Sequence, residues 1–361
     1  MSLMAQLNDK ALRNGVPLSV HLDITYRCNE RCEHCYLEHD GQDELTTTEI
    51  RGLVDQLAEA GVFFLTISGG EPLLRPDCFE IIAHARSLDF NVKLKTNALL
   101  IREREAALLR ELNVHQIQVS VYSHRPEIHD AVTKVRGSLR RTLAAIRRLR
   151  LYGLRVTIAN VLMRSNHQDR EGVRMLAQEL GADYTLDPTI TPMMNGDHGV
   201  LRLRLPSTDL RNVFQDSNSV GDVASFCAPP APVDATVLDG YPCSAGHTAC
   251  YITPQGDVYP CVQFPLPCGS IRRQSFIDIW KNSSQLHEVR SIRGRDLPTC
   301  SSCSHLGTCT RCPGLAFMEG NMRGSSSADC EKSFIRTGVV TAGMVARKAA
   351  MVTAGLVQIR L

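Results

Sequence analysis

Between Leu18 and Asp187 the sequence alternates short apolar runs with longer amphipathic ones, six times over. Runs of alternating or continuous apolar character read as strands, and runs with apolar residues three and four apart read as helices. Strands are expected at 18–24, 62–68, 90–96, 115–121, 154–162 and 183–187. Helices are expected near 46–60, 77–88, 102–112, 138–152 and 169–180. Thr46-Thr47-Thr48-Glu49 opens the first of these with a capping signal, because a hydroxyl satisfies a free backbone N–H of the first turn. Gly61, Gly153 and Gly181 follow helices, where the left-handed cap favours glycine. Six strand–helix units with right-handed crossovers make an α/β fold whose parallel sheet curves into a partial, TIM-like (β/α)6 barrel.

In a parallel barrel every strand ends on the same face, and active sites gather there. The residues with the most chemistry fall at those ends. Cys28-x3-Cys32-x2-Cys35-Tyr36 follows the first strand, and Gly69-Gly70-Glu71-Pro72 follows the second. Asn97, Ser120 and residues 163–166 end or follow the next three. Thiolates are soft ligands that suit iron–sulfur clusters or zinc. Three of them on a four-iron cluster would leave one iron open to a small chelating molecule. Spacing alone also allows zinc, with His34 or a distant residue as fourth ligand. In the glycine motif, two glycines allow close backbone approach to a ligand and Glu71 can hydrogen-bond an ammonium group, although an ordinary turn has the same composition. Asn97 and Ser120 could instead cap neighbouring turns, and Tyr36 could be a core aromatic.

Composition narrows the setting. The 361 residues suffice for a full core and for two domains. A formal net charge of +2 gives no case for nucleic acid or an anionic membrane. Fourteen cysteines occur, yet Met1 to Pro17 is polar and mixed and reads as no secretion signal. No apolar run is long enough to span a bilayer. The expectation is a soluble, cytoplasmic protein that uses its thiols for metal or redox chemistry. Arg140, Arg141, Arg147, Arg148, Arg150 and Arg155 crowd one helical stretch, read as a solvated outer face, with docking of an acidic leader peptide as the alternative.

The cysteine loop with its trailing aromatic and the Gly-Gly-Glu-Pro motif resemble the radical S-adenosylmethionine (radical SAM) superfamily. The resemblance implies that Cys28, Cys32 and Cys35 hold a 4Fe–4S cluster. That cluster would reductively cleave SAM to methionine and a 5′-deoxyadenosyl radical. It implies that Gly69, Gly70, Glu71 and Pro72 bind the amino group of SAM's methionine. Asn97 and Ser120 would meet its ribose and methionine parts, with Tyr36 near the adenine. His129 to Ser138 is similar to the family's lead-in to its fourth helix, but Lys134 and Arg136 stand where relatives often have glycine and proline.

After Asp187 the alternation stops. Pro188 to Gly199 reads as a loop over the barrel mouth, and 217–242, rich in proline and alanine, as a linker. Nine cysteines lie between Cys243 and Cys330. Their order resembles the SPASM domain, a C-terminal extension that carries auxiliary 4Fe–4S clusters. By that resemblance Cys243, Cys250, Cys261 and Cys312 hold one cluster, and Cys300, Cys303, Cys309 and Cys330 another. Two residues separate Cys309 from Cys312, where three are usual. Paired zinc sites are the alternative for such C-x2-C spacing. Cys78 reads as a small apolar core residue, and Cys227 and Cys268 as packing thiols. The expected domains are thus an N-terminal segment 1–17, a barrel 18–216, the linker, an auxiliary domain 243–335 and a tail 336–361. The tail is apolar and basic, and Arg347-Lys348 argues against membrane insertion.

The resemblance implies a peptide maturase: a radical enzyme that abstracts hydrogen from a ribosomally made precursor peptide and forms a thioether or carbon–carbon crosslink, or a related oxidation. It also implies a flavodoxin- or ferredoxin-type electron donor. About seventeen residues precede the first strand, too few for a fused peptide-recognition domain, so a separate recognition protein is expected. An anaerobic sulfatase maturase, which makes formylglycine, is the rival. Its auxiliary domain has an aspartate after the third cysteine, where this chain has Val262. A small-molecule dehydrogenase of the same build is a further alternative. A non-catalytic electron carrier would not need the amino-acid cradle of residues 69–72.

Overall fold

The computed structural model describes residues 3–353. Helix α1 (Leu3–Asn14) precedes six parallel strands in sequential order: β1 (Ser19–Thr25), β2 (Phe64–Gly69), β3 (Asn91–Thr96), β4 (Gln116–Ser120), β5 (Val156–Val161) and β6 (Asp183–Asp187). The crossovers are α2 (Thr47–Glu59), α3 (Cys78–Ser87), α4 (Glu103–Glu111), α5 (Pro126–Thr133) with α6 (Ser138–Leu151), and α7 (Arg170–Glu179). Thr46 and Glu49 form a reciprocal capping box on α2. Gly61, Gly153 and Gly181 are left-handed at φ +87°, +71° and +63°.

Side chains alternate across a strand, so each strand divides its residues between two environments. The outer set, such as Leu22, Leu65, Leu94 and Ile117, is fully buried in one core with Leu53 and Leu57 of α2 and Ile146 of α6. Each such side chain contributes about 1.5–3 kcal/mol by leaving water. The inner set is mostly polar, with Phe64, Ala159 and Val161 as exceptions. His21, Thr66, Lys93 and Gln116 are paired in register across β1 to β4, and Asp23 with Ser68 and Lys95 with Gln118 make the next layer. The barrel therefore encloses a polar interior. On the outside, Arg148 pairs with Glu103, Arg155 with Asp183, and Arg150 with the Leu154 carbonyl, as a solvated face would.

The sheet is larger than the six expected strands. β7 (Ala249–Ile252) lies parallel to β1, and β8 (Asp257–Tyr259) and β9 (Gly269–Ser270) continue antiparallel, giving nine strands. An open barrel leaves unpaired backbone groups along β1, and the following segment satisfies them, beginning with Ser19 N–H to Thr248 O at 3.0 Å. A helix at Phe276–Asn282 then buries Phe276 and Trp280; the Trp280 indole donates to Gly15 O at 2.6 Å and Phe276 N–H to Gln56 at 2.7 Å. The compact units accordingly differ from the boundaries expected at 217 and 243. One unit comprises Met1–Leu205 and Ala245–Leu286, the other Pro206–Ser244 and His287–Leu361.

Within the second unit, helix Ser327–Thr337 packs with helices Ser207–Phe214 and Ala342–Thr353. The stretch expected to be a linker forms short turns at Ser217–Val220, Val223–Phe226 and Ala235–Asp239. The last packs against Gly294 so closely that a Cβ there would stand 2.7 Å from Val237 O. Of the tail, 354–361 lies outside the described residues. No helix among the described residues is long and apolar enough to cross a membrane.

If β7 and the Trp280 helix complete the barrel, Trp280→Ala should cost about 3–5 kcal/mol in chemical denaturation. A chain truncated after Pro242 should then lack a cooperative unfolding transition by circular dichroism. A cooperative transition at the parental midpoint would show that β1–β6 stand alone.

Candidate active site

Residues between β1 and α2 form a long loop that carries Cys28, Cys32 and Cys35, and it is braced from several sides. Arg75, buried, donates to Ile24 O at 3.0 Å and to Leu45 O at 2.9 Å, so one guanidinium ties both ends. Gly70 N–H donates to Thr25 O at 2.8 Å and Glu71 N–H to Arg27 O at 2.9 Å. From the opposite side the carbonyls at the end of α5 accept from the loop: Arg31 N–H to Thr133 O and Glu33 N–H to Val132 O, both at 3.0 Å. Lys134, where relatives often have glycine, caps α5 in the left-handed region at φ 62°. Asp130 accepts from Gly137 N–H, Leu139 N–H and the Ser138 hydroxyl, which sets α6 after the α5 turn. The lead-in segment 129–138 thus positions the cysteine loop.

The three cysteines line one cavity of about 550 Å³ at the C-terminal ends of the strands. Tyr36, Gly69, Gly70, Asn97 and Ser120 line it too. Burial pushes the Cys28 thiol up to about 11, and raises Cys32 and Cys35 as well. Such thiols surrender their protons to a bound cation rather than to water. Burial draws His34 down to about 4, and its ring stands edge-on to Tyr122 at 4.8 Å, a neutral aromatic neighbour of the loop. Among the described residues no three His, Cys, Asp or Glu side chains converge as closely as a single metal ion requires. Three thiols on one braced loop, with no fourth thiol lining the cavity, fit a cluster held at three corners.

The glycine motif differs from the ligand cradle expected of it. The Glu71 carboxylate is fully buried behind the cavity wall. It accepts from Leu73 N–H at 3.1 Å, Asn97 N–H at 2.8 Å and the Thr96 hydroxyl at 2.8 and 2.9 Å. It therefore joins β2 to the end of β3, with three donors of the chain itself already on its oxygens. Pro72 is buried in the turn Pro72–Leu74 and does not line the cavity. A Cβ on Gly69 would stand 2.1 Å from Thr25 O, and one on Gly70 2.4 Å from Arg27 O. These glycines admit the chain's own backbone, and what they offer a ligand is their main chain alone. Asn97 donates through Nδ2 to Asn29 Oδ1 at 2.6 Å and lies 3.9 Å from Cys28 Sγ, so it steadies the loop. Ser120 and Tyr122 both line the cavity, and the Tyr122 hydroxyl donates to Cys32 Sγ at 3.9 Å.

Residues that motif reading passed over complete the cavity: Glu30, Lys95, Gln118, Thr185, Asp187 and Gln263. Glu30, between the first two cysteines, is buried, raised to about 7 by that burial, and accepts from Cys32 Sγ at 3.7 Å. Lys95 and Gln118 were legible as alternate polar residues in Lys93-Leu94-Lys95 and Gln116-Ile117-Gln118.

In the second unit, burial pushes the Cys300 thiol up to about 11, and Cys303, Cys309 and Cys330 stand near enough for their charges to act on it. Ser333 donates to Cys309 Sγ at 3.4 Å and Ala342 N–H to Cys303 Sγ at 3.4 Å. A Cβ on Gly343 would stand 2.5 Å from Cys330 Sγ. Of the other expected set, Cys250 and Cys261 belong to the first unit and Cys243 and Cys312 to the second. Cys250 lies in the main hydrophobic core, as do Cys78 and Cys268. Cys227 donates to Phe214 O.

Burial raises Glu71 to about 7, against 4.5 in an unfolded chain. A raised acid binds its proton more tightly when folded, so its stabilisation is complete below 4.5 and fades as pH rises through 7. Denaturation titrations from pH 5 to 8 without ligand should show the parent losing roughly 3 kcal/mol from this group. Glu71→Gln should lack that slope and, having one acceptor too few, should be weaker by about 1–3 kcal/mol at pH 5. A variant as stable as the parent, with the same slope, would return Glu71 to a ligand role.

The family model described as the radical SAM superfamily matches residues 22–177, and that of the SPASM iron-sulfur cluster-binding domain matches 243–304. The AdoMet-dependent heme synthase of Methanosarcina barkeri is 28% identical over 84% of this chain and 93% of its own length. The mycofactocin maturase MftC of Mycobacterium tuberculosis is 28% identical over 81% of this chain and 77% of its own. The crystal structure of Streptococcus suis SuiB bound to S-adenosylmethionine superposes with a TM-score of 0.73 at 18% identity, covering 91% of this chain and 81% of that one. SuiB bound to its precursor peptide SuiA gives a TM-score of 0.71 at 17% identity over 91% and 80%. The cofactors are S-adenosylmethionine and 4Fe–4S clusters. Residues 22–177 thus form a radical SAM domain and residues 243–304 a SPASM iron-sulfur cluster-binding domain, and the chain is an enzyme.

Proposed function

We propose that this chain is a peptide maturase that oxidises or crosslinks a residue of a ribosomally made precursor. The observation that carries the reading is the shared cavity: three thiols at its rim and a polar inner wall beneath them, in one space of about 550 Å³. Pockets of that size take a small molecule or one extended side chain. When bound, the cluster and SAM supply a 5′-deoxyadenosyl radical that abstracts an unactivated hydrogen. The chain's own part is to hold the thiol loop rigid, to offer the backbone of Gly69 and Gly70, and to shield the reacting carbon from water. Similarity to a maturase and to a structure solved with a precursor peptide supports the reading. Val262 lines the cavity where a sulfatase maturase would have its aspartate, which counts against formylglycine formation. The coverage of the heme synthase favours a second reading, oxidation of a small molecule.

Cys28, Cys32 and Cys35 would hold the SAM-binding cluster, and Cys300, Cys303, Cys309 and Cys330 an auxiliary one that accepts the electron left on the product. A flavodoxin- or ferredoxin-type donor and a separate peptide-recognition protein would complete a cytoplasmic system. Two four-iron clusters make about eight irons per chain in anaerobically reconstituted protein, and alanine at Cys28, Cys32 and Cys35 together should remove about half; about twelve irons would add the cluster expected on Cys243, Cys250, Cys261 and Cys312. Stoichiometric zinc with little sulfide would overturn the assignment.

Damage to the two parts should separate. Cys28→Ala should abolish 5′-deoxyadenosine formation in dithionite-reduced enzyme. Cys309→Ala, checked for folding by circular dichroism, should retain uncoupled SAM cleavage and make no modified product from the peptide encoded beside the gene. Full product at the parental rate would remove the auxiliary part from the chemistry. Turnover of a small molecule with no peptide turnover would favour the second reading.

A further inference from the structure

The inner wall of the cavity presents one unmatched cation. Among the described residues lining it, Lys95 is the single lysine or arginine. Its ammonium makes no hydrogen bond and no ion pair within 4.0 Å among the described residues. The acids nearest it are engaged elsewhere and stop short of an ion pair. Asp23 is fully buried with both oxygens in use, Oδ1 by His21 Nε2 at 3.0 Å and Oδ2 by the Tyr251 hydroxyl at 2.8 Å. Asp187 ends β6, lines the same cavity and accepts from Thr189 N–H; its charge and that of Asp23 reach Lys95, but neither carboxylate lies within 4.0 Å of the ammonium. Lys93 adds like charge from the same strand face, and burial lowers the Lys95 pKa. An anion within hydrogen-bond reach would offset that solvation loss.

The location says which anion. Lys95 is two residues before Asn97, whose side chain touches the thiol loop, so its base lies about 7 Å deeper in the barrel. By the family resemblance the cluster and SAM would sit at the thiol loop, which leaves a deeper cation for another molecule. Gln118, its register partner on β4, and Ser68 of the same layer offer further donors. With Glu30 and Asp187 also lining the cavity, a single positive charge suits a monoanion better than a phosphate dianion.

We propose that Lys95 Nζ anchors a carboxylate of the substrate, by a charge-assisted hydrogen bond that orients the reacting carbon beneath the thiol loop. Resting on the maturase reading, this makes the substrate a peptide whose modified residue bears or adjoins a carboxylate. An Asp or Glu side chain and a C-terminal α-carboxylate present the same chemistry, and the test separates them.

Cyanate carbamylates uncharged amines, and peptide mapping by mass spectrometry reads its rate at each lysine. The holoenzyme would be treated alone, with SAM, and with SAM plus one probe, taking exposed Lys10 as the internal control. The probes are propionate, propionamide and three hexapeptide libraries: acidic side chains with an amidated C-terminus, a free C-terminus without acids, and neither. SAM alone should leave the Lys95 rate unchanged. Propionate and one acidic library should slow it at least fivefold, that library naming the carboxylate's source, while propionamide and the uncharged library should not. Lys95→Gln of parental melting temperature should retain the protecting library at least tenfold less well, and Lys95→Arg nearly as well as the parent. Protection by SAM alone, equal protection by the uncharged library, or none by propionate would overturn the proposal. Protection by propionate but by no peptide library would keep the anchor and sink the peptide reading.

Discussion

The buried guanidinium of Arg75 is the interaction on which the site depends. The loop that carries the three thiols has little regular structure, and a loop of that length would sample many conformations if left free. Arg75 fixes both of its ends through the carbonyls of Ile24 and Leu45, and is itself held by Asp77 at 2.6 and 2.9 Å. Asp77 in turn accepts from the Thr47 hydroxyl at the first turn of α2, so loop, turn and helix share one ion pair. Removing one member of such a buried pair strands the other, at a cost on the order of 3–5 kcal/mol. The remaining braces, from residues 69–71 and from the end of α5, position a loop whose ends are already fixed.

Much of this architecture was open to reading in the sequence. The strand expected at 18–24 is Ser19–Thr25 and the helix expected at 46–60 is Thr47–Glu59, because burial on the outer face imposes periodicity and a hydroxyl cap marks the start. What escaped was decided by tertiary context. Helix α5 spans Pro126–Thr133, too short for its period to stand out. β7 is Ala249–Ile252, four residues that become a strand because β1 offers an open edge. Arg75 carries no motif, and its meaning lies in two carbonyls 30 and 51 positions away.

The site was legible in type more than in role. Gly69 and Gly70 were noticed as glycines that admit a close approach, and the approach turned out to be to Thr25 and Arg27 of the same chain. Glu71 was noticed as a carboxylate able to hold an ammonium, yet its oxygens are spent on Leu73, Thr96 and Asn97. A motif specifies which residue types recur at a spacing; it does not say where a side chain points. Conversely, the polar interior required no motif, only the observation that one face of β1, β3 and β4 is polar while the other is core.

The central claim is that the loop of Cys28, Cys32 and Cys35 carries an iron–sulfur cluster with one corner open to SAM. Electron paramagnetic resonance of the anaerobically reconstituted, dithionite-reduced enzyme tests it directly. Adding SAM should change the signal of one cluster and leave the others as they were, and the Cys28, Cys32 and Cys35 triple alanine variant should show only the unresponsive signals. A parental spectrum indifferent to SAM, or a triple variant that responds as the parent does, would contradict it.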